Sequence, residues 1–220
     1  MKRVFNFGAG PAMLPLEVME KAQAEFLNYQ NMGASIIEIS HRSKEFDHVI
    51  NSCDALITEL AGVPSNYKIL YVHGGAQMQF SAVPLNIINR NPSKKASFSL
   101  TGTWAEKASK EAGRYGNPIN ISSSADKNFN YIPTYDAGAL DPESSYLHIV
   151  SNNTLFGTRW HDFPDTGEIP LVADMTSEFM SRKIDISKFG IVFAGLQKNL
   201  GPAGLAVVII REDLLEHALP

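Results

Sequence analysis

A chain of 220 residues, 44% of them hydrophobic, is long enough to bury a sizeable core as one large domain or two small ones. Its 19 basic and 23 acidic residues give a formal charge of -4 with no basic run longer than Lys94-Lys95, so the charge balance makes no case for nucleic acid or a membrane surface as partner. The single cysteine, Cys53, excludes an internal disulfide and a multi-cysteine zinc site. Val4-Phe5-Asn6-Phe7 is too short for the apolar region of a signal peptide, and Leu205 to Ile210, the longest apolar run, is far below membrane-spanning length, so the expected location is cytoplasmic.

Asn6-Phe7-Gly8-Ala9-Gly10-Pro11-Ala12 is a turn region, so residues 1–14 read as an arm ahead of one large unit over 15–220. The arm's glycines let backbone approach a ligand closely. Pro15 suits a first helical position, and Val18, Ala22, Phe26 and Tyr29 recur at helical spacing; a helix from about 15 to 29 with a structural face is expected. Ser40-His41-Arg42-Ser43 leads into a second helix, whose stripe of Phe46, Val49, Ile50, Cys53, Ile57 and Leu60 stops at Gly62-Val63-Pro64. Cys53 lies in that stripe and reads as core. His41 and Arg42 stand just outside the helix start, where positive side chains and free N–H groups favour an anion; a solvated loop pair is the other reading.

Lys68-Ile69-Leu70-Tyr71-Val72 reads as a strand, His73-Gly74-Gly75 as a turn, and Ala76 to Ile88 as a helix that Pro84 bends or locally breaks. Strand, paired glycines and helix start form the geometry of a phosphate cradle, although the lysine and Ser/Thr of a nucleotide P-loop are absent. Ala96 to Thr101 is the next strand, and a helix follows to about Ala112. Trp104 stands where strand gives way to helix, so its ring suits either the core or a surface on which a heterocycle stacks. Residues 122 to 145 are rich in Ser, Asn, Asp, Pro and Gly and predict a loop excursion with a short hairpin around Tyr131.

Tyr146-Leu147-His148-Ile149-Val150 is a core strand, and Ser151-Asn152-Asn153-Thr154 follows it with four hydrogen-bonding side chains. Pro170-Leu171-Val172-Ala173-Asp174 is another short apolar run, ending in a carboxylate. Ile191 to Ala194 and Leu205 to Ile210 flank a glycine-punctuated loop that carries Lys198. Such a lysine either snorkels to water as an ordinary loop residue or is held with its charged form disfavoured and its nucleophilicity raised, as a Schiff-base amine requires. In open α/β sheets ligands sit at the carboxyl ends of strands. A strand-end aspartate upstream of a strand-end lysine fits the pyridoxal phosphate arrangement, in which lysine forms the imine and the acid keeps the pyridine nitrogen protonated.

Alternating strands and helices with near-continuous apolar strands argue an α/β fold: a mostly parallel sheet with helices on both faces. Gly75, Trp104, Thr154, Asp174 and Lys198 would then converge on one rim. The six histidines show no paired ligand spacing on a helix, so no metal site is expected.

Several motifs together carry a resemblance: Gly10-Pro11-Ala12-Met13-Leu14-Pro15, Glu38-Ile39-Ser40-His41-Arg42-Ser43-Lys44-Glu45-Phe46, His73-Gly74-Gly75, Val83-Pro84-Leu85-Asn86, and Ala194-Gly195-Leu196-Gln197-Lys198-Asn199-Leu200-Gly201-Pro202-Ala203-Gly204. Through them the chain resembles the phosphoserine aminotransferase family, class V aminotransferases of pyridoxal-phosphate fold type I. The resemblance implies pyridoxal 5'-phosphate as cofactor and Lys198 as the lysine that binds it. It implies Asp174 at the ring nitrogen, Trp104 stacked on the ring, Thr154 near the phenolic oxygen, and Ala76, Gln77 and Gln197 around the phosphate. Ala9 and Arg42 fall where the family binds its amino-acid substrate, with His41 near the substrate phosphate. The substrates so implied are glutamate and 3-phosphohydroxypyruvate, in a ping-pong transamination giving 2-oxoglutarate and O-phosphoserine for serine biosynthesis. A related substrate of pyridoxine biosynthesis and a homodimer belong to the same implication.

Two departures accompany the resemblance. Some relatives carry arginine at the position of Gln77, so that charge is missing here. The family also continues beyond Pro220, so the expected chain is the large domain without its C-terminal end and without the small domain, lacking the substrate-carboxylate arginine and an Asn/Thr pair that reaches the neighbouring subunit's cofactor. A partner chain supplying that region stands as the alternative to a simple homodimer. The competing functional expectations are a non-catalytic fragment or assembly partner that keeps the fold, and another fold-type I reaction such as desulfuration, which would want a mobile catalytic cysteine.

Overall fold

The computed structural model describes residues 3–220; the first two positions of the expected arm lie outside them. Residues 3–14 form neither helix nor strand. The Arg3 guanidinium donates to the Leu14 carbonyl at 3.1 Å, and the Ala12 N–H donates to the Gln197 carbonyl at 2.7 Å. Helix α1 spans Leu16–Glu25, and a single 3-10 turn covers Tyr29–Asn31. Its apolar face is not structural as expected: none of its residues is buried, and Val18 and Phe26 keep 53% and 51% of their surface exposed. Periodicity records that a face is apolar; whether anything covers it depends on segments elsewhere, and no other described element packs closely on α1.

Helix α2 spans Lys44–Ala61. Ser43 caps its start, its hydroxyl accepting from the Phe46 N–H at 3.3 Å, and Gly62 ends it in the left-handed conformation at φ 66°. Phe46, Val49, Ile50, Cys53 and Ile57 are only half-buried and Leu60 is exposed, so Cys53 borders the core rather than lying in it.

Strand β1 (Tyr67–His73) leads into α3 (Gly75–Ile87), which runs through Pro84 as one helix and closes in a 3-10 turn over Ile88–Arg90. Then come β2 (Lys95–Leu100), α4 (Thr103–Ala112), β3 (Asn117–Ser123) and β4 (Ser144–Val150). A short ribbon pairs β5 (Asn152–Asn153) with β6 (Thr158–Arg159), and β7 (Leu171–Asp174), β8 (Ile191–Gly195) and β9 (Leu205–Arg211) complete the sheet.

The large sheet has the order β1-β9-β8-β7-β4-β2-β3. Strands β8, β7, β4, β2 and β3 pair in parallel, β9 is antiparallel to β8, and β1 is antiparallel to β9, so only β9 runs against the common direction. The connection over 196–204 explains that reversal, since a parallel crossover needs roughly a dozen residues or more. Strand β3 was not expected. It is an edge strand with Pro118 inside it and a half-solvated face, which gives it neither a continuous apolar run nor a clean alternation. No hairpin forms at Tyr131, whose hydroxyl donates to Asp126 in irregular chain at 2.8 Å.

Strand β4 is buried along its whole length, as a central strand covered on both faces must be. On one face Phe80, Val83 and Ile87 of α3 and Ala108 and Ala112 of α4 pack on Phe98, Val172, Phe193 and Val208. On the other, Leu147, Ala173, Val192 and Ile209 meet Val63 and the largely irregular chain carrying Trp160, Met175, Phe179 and Phe189, with Ile57 of α2 at the margin. Each such ring or branched side chain contributes about 1.5–3 kcal/mol on burial, so these two layers hold the strand ends rigid. The carboxyl ends of β1, β2, β4, β7 and β8 all emerge at one edge.

Candidate active site

A cavity of about 400 Å³ opens at that edge. Its walls come from Gly10 and Pro11 of the arm, the turn into α3, Trp104 at the start of α4, Thr154 beyond β5, Asp174 at the end of β7, and Gln197 and Lys198 beyond β8. The turn before α3 requires glycine. Gly74 has φ 90° and donates its N–H to the Gly204 carbonyl at 3.0 Å, and a Cβ there would stand 2.8 Å from Cβ of Met78.

Among the described residues no side chain caps α3, and its first turn holds no acidic residue, so the N–H groups at Gly75, Ala76 and Gln77 remain available to an anion in the cavity. The start of α2 differs: Ser43 occupies it, and Glu45 and Asp47 lie in its first turn. The anion site favoured by local chemistry is therefore the start of α3. Gln197 lies against it, since a Cβ on Gly195 would be 2.6 Å from the Gln197 amide oxygen and 3.2 Å from the Ala76 nitrogen.

Asp174 is 5% exposed. Its Oδ1 accepts from the Thr176 N–H at 2.9 Å and from the Thr176 hydroxyl at 2.6 Å. Burial pushes its carboxyl above the ordinary value, opposed by the two bonds from Thr176 and by the Lys198 charge. Lys198 is half-buried, and its Nζ donates to the Thr154 hydroxyl. Burial lowers its proton affinity, against the pull of Asp174. A Cβ on Gly10 would sit 3.0 Å from Cγ of Lys198, so the arm's backbone lies directly on the lysine stem. Asn199 pins the far side of the loop through a 2.8 Å bond to the Phe179 carbonyl.

Among the residues singled out from sequence, Ala76, Gln77, Trp104, Thr154, Asp174, Gln197 and Lys198 line this one cavity. Ala9, His41 and Arg42 do not; all three are exposed, and the arm reaches the cavity through Gly10 and Pro11 instead. Thr176, Ser177 and Asn152 also line it, and sequence reasoning gave them no role. Ser177 donates to both the carbonyl and the side-chain oxygen of Asn152, at 2.9 and 3.0 Å. The signal available for Thr176 was a hydroxyl two residues after a strand-end aspartate, the spacing of a side-chain-to-backbone turn.

The walls suit a planar ligand with an anionic group at the start of α3, a basic ring nitrogen toward Asp174, and a carbonyl within reach of Lys198. Among the described residues no group of three or more His, Cys, Asp and Glu side chains could hold a metal ion, and no helix is long and apolar enough to cross a membrane.

The chain is 50% identical over 217 residues to phosphoserine aminotransferase of Lysinibacillus sphaericus (strain C3-41), and 48% identical over 217 residues to that of Bacillus subtilis (strain 168). Each alignment covers 99% of this chain and 59% of the relative, so the chain spans about three-fifths of the length of the curated relatives it matches. Phosphoserine aminotransferase from Bacillus circulans subsp. alkalophilus superposes with a TM-score of 0.92 at 45% identity, covering 99% of this chain and 61% of that one. A PLP-bound phosphoserine aminotransferase from Trichomonas vaginalis superposes with a TM-score of 0.90 at 39% identity, with the same coverage of 99% and 61%. The family pattern described as Aminotransferase class-V matches residues 4–220, nearly the whole sequence, and the chain belongs to the class-V aminotransferase family.

Proposed function

We propose that the chain is the cofactor-binding part of a phosphoserine aminotransferase, which uses pyridoxal 5'-phosphate to move the amino group of glutamate to 3-phosphohydroxypyruvate. The observation that carries this reading is the pairing of a half-buried amine, Lys198, with a buried carboxylate, Asp174, on one cavity that also holds an uncapped helix start. An assembly partner keeping only the fold has no need of that set, so the alternative of a non-catalytic remnant is not favoured.

The residues present fit the cofactor. Ala76, Gln77 and Gln197 would hold its phosphate, Trp104 would cover its ring, Thr154 would meet its phenolic oxygen, and Asp174 its ring nitrogen. When bound, the cofactor supplies an electron sink for negative charge at the substrate α carbon. Lys198, with its lowered proton affinity, has more free amine at neutral pH than an exposed lysine. That amine would hold the cofactor and would be the base that moves a proton at the substrate α carbon. Asp174 must be ionised to keep a proton on the ring nitrogen. Burial works against that state, while Thr176 and the Lys198 charge work for it.

Ala9, His41 and Arg42 are proposed as substrate contacts on the strength of the family resemblance, since the cavity wall does not include them. Neutral Gln77 brings amide donors but no positive charge to the start of α3, beside the backbone N–H groups and Gln197. On the same resemblance we place the protein in the cytoplasm, as a homodimer or with a partner chain, in serine biosynthesis and with a related substrate in pyridoxine biosynthesis.

The test has two parts. The chain is loaded with pyridoxal 5'-phosphate, reduced with borohydride and mapped by mass spectrometry; the label is expected on Lys198. Glutamate-dependent amino transfer to 3-phosphohydroxypyruvate is then measured, alone and with a C-terminal fragment of a relative added. A label elsewhere, or no turnover in either condition, overturns the proposal.

A further inference from the structure

We infer that Thr176 is a positioning residue: its hydroxyl joins the end of β7 to the end of β8 and leaves one chosen oxygen of Asp174 to face the cavity. The inference deepens the proposed function and rests on it for its catalytic meaning, although its geometry stands alone.

The bonding has only one consistent polarity. The Gly195 N–H can only donate, and it donates to the Thr176 hydroxyl oxygen at 3.1 Å. The hydroxyl proton is therefore free to point at Asp174, whose Oδ1 lies 2.6 Å away. The same Oδ1 also receives the Thr176 backbone N–H at 2.9 Å. An oxygen that faces two donors cannot carry a proton of its own without placing donor against donor. Oδ1 is thus held as an acceptor, and any proton taken up by the acid must sit on Oδ2.

Among the described residues Oδ2 has no hydrogen-bond partner in the protein, and Asp174 lines the cavity. Oδ2 is the atom through which the acid meets a ligand. Lys198 is the charged group that acts on this carboxylate across the cavity. The same hydroxyl that orients Asp174 also fixes the Gly195 amide, three residues before Lys198. One side chain therefore sets both the rotamer of the acid and the start of the loop that carries the amine. Backbone bonds reinforce the joint, with the Met175 N–H donating to the Phe193 carbonyl at 2.8 Å and the Ser151 N–H to the Asp174 carbonyl at 2.9 Å.

The experiment compares Thr176→Val and Thr176→Ala, which remove the hydroxyl, with Thr176→Ser, which keeps it. The first readout is the carboxyl carbon-13 resonance of Asp174, titrated in cofactor-free protein. Losing a hydrogen bond to the ionised form should raise the titration midpoint by about one pH unit, a roughly tenfold gain in proton affinity, in the Val and Ala variants and not in the Ser variant. The second readout is the cofactor-loaded protein: kcat should fall about tenfold or more in Val and Ala with KM for glutamate within about twofold, and Ser should match wild type. If one hydroxyl-deleting variant fails to fold, the other is compared with Ser. An unmoved Asp174 midpoint in Val and Ala, or a Ser variant as impaired as Val, overturns the inference. Failure of the wild type to attach cofactor at Lys198 overturns the proposed function instead, and the Asp174 titration still decides the role of Thr176.

Discussion

The Lys198 Nζ donates to the Thr154 hydroxyl, tying the loop after β8 to the chain just beyond β5 across 44 positions of sequence. The bond holds the amine at the cavity, and burial there disfavours its charged form. In cofactor-free protein, reductive methylation read by mass spectrometry as a function of pH should give Lys198 a midpoint below the ordinary lysine value. Thr154→Val removes an acceptor for the ammonium and should move that midpoint lower still. A Lys198 midpoint at the ordinary lysine value would contradict the burial argument.

Asp174→Asn should trade activity for stability. An acid whose folded value is raised binds its proton more tightly folded than unfolded. Stability therefore falls as pH rises from the unfolded value toward the raised one, and the deficit persists at higher pH. The Asn variant, free of that deficit, should melt above wild type near neutral pH without cofactor, and the gap should close in acid. In the transamination assay the same variant should lose about 10²–10³-fold in kcat, the scale on which a preorganised electrostatic contact acts. Calorimetry at two pH values with steady-state rates checks both signs.

His148 predicts acid sensitivity away from the site. It is 3% exposed, neither ring nitrogen has a partner among the described residues, and the rings of Phe98, Phe193 and Phe80 stand 5.3, 6.1 and 6.4 Å from it. Burial takes its pKa down from 6.5 to about 3. Below 6.5 the unfolded chain gains a proton that the folded chain refuses, so stability drops as pH falls, by about 1.4 kcal/mol per pH unit. His148→Leu removes that slope. Urea unfolding at about pH 7 and about pH 4.5 should show the variant gaining roughly 2–3 kcal/mol on wild type between the two. An unchanged difference would mean that the imidazole finds a partner on protonation.

Glu178 and Arg182 form the ion pair whose disruption should cost most. The Glu178 side chain is 1% exposed, its Oε1 accepts from Arg182 Nε at 2.7 Å, and its Oε2 has no partner among the described residues. Arg182 also donates to the Trp160 carbonyl at 2.7 Å, which locks its plane. Arg182→Met strands a buried carboxylate and should destabilise by about 3–5 kcal/mol. Adding Glu178→Met should recover most of that loss. A double-mutant cycle by chemical unfolding tests this, and additive effects would show that the pair is not coupled.

Much of the site could be read from one dimension because its residues mark the ends of local patterns. Asp174 and Lys198 stand where short β-branched runs stop, and Gly74-Gly75 stands between a strand and a helix. Strand burial sets the length and composition of such runs, and the residue just past a buried strand is where chemistry reaches solvent. The positions at 174 and 198, the glycine turn, and the parallel α/β plan were all available in that way.

Tertiary structure decided the rest, because those features are contacts between distant segments. The edge strand β3 and the exposed face of α1 depend on what lies alongside, which no local period encodes. The pairing of Thr176 with both strand ends and the absence of His41 and Arg42 from the cavity lining depend on it as well. Sequence alone named an amine and an acid; only packing could place them on one cavity and choose which oxygen of the acid looks into it, since hydrogen-bond direction is a property of three dimensions.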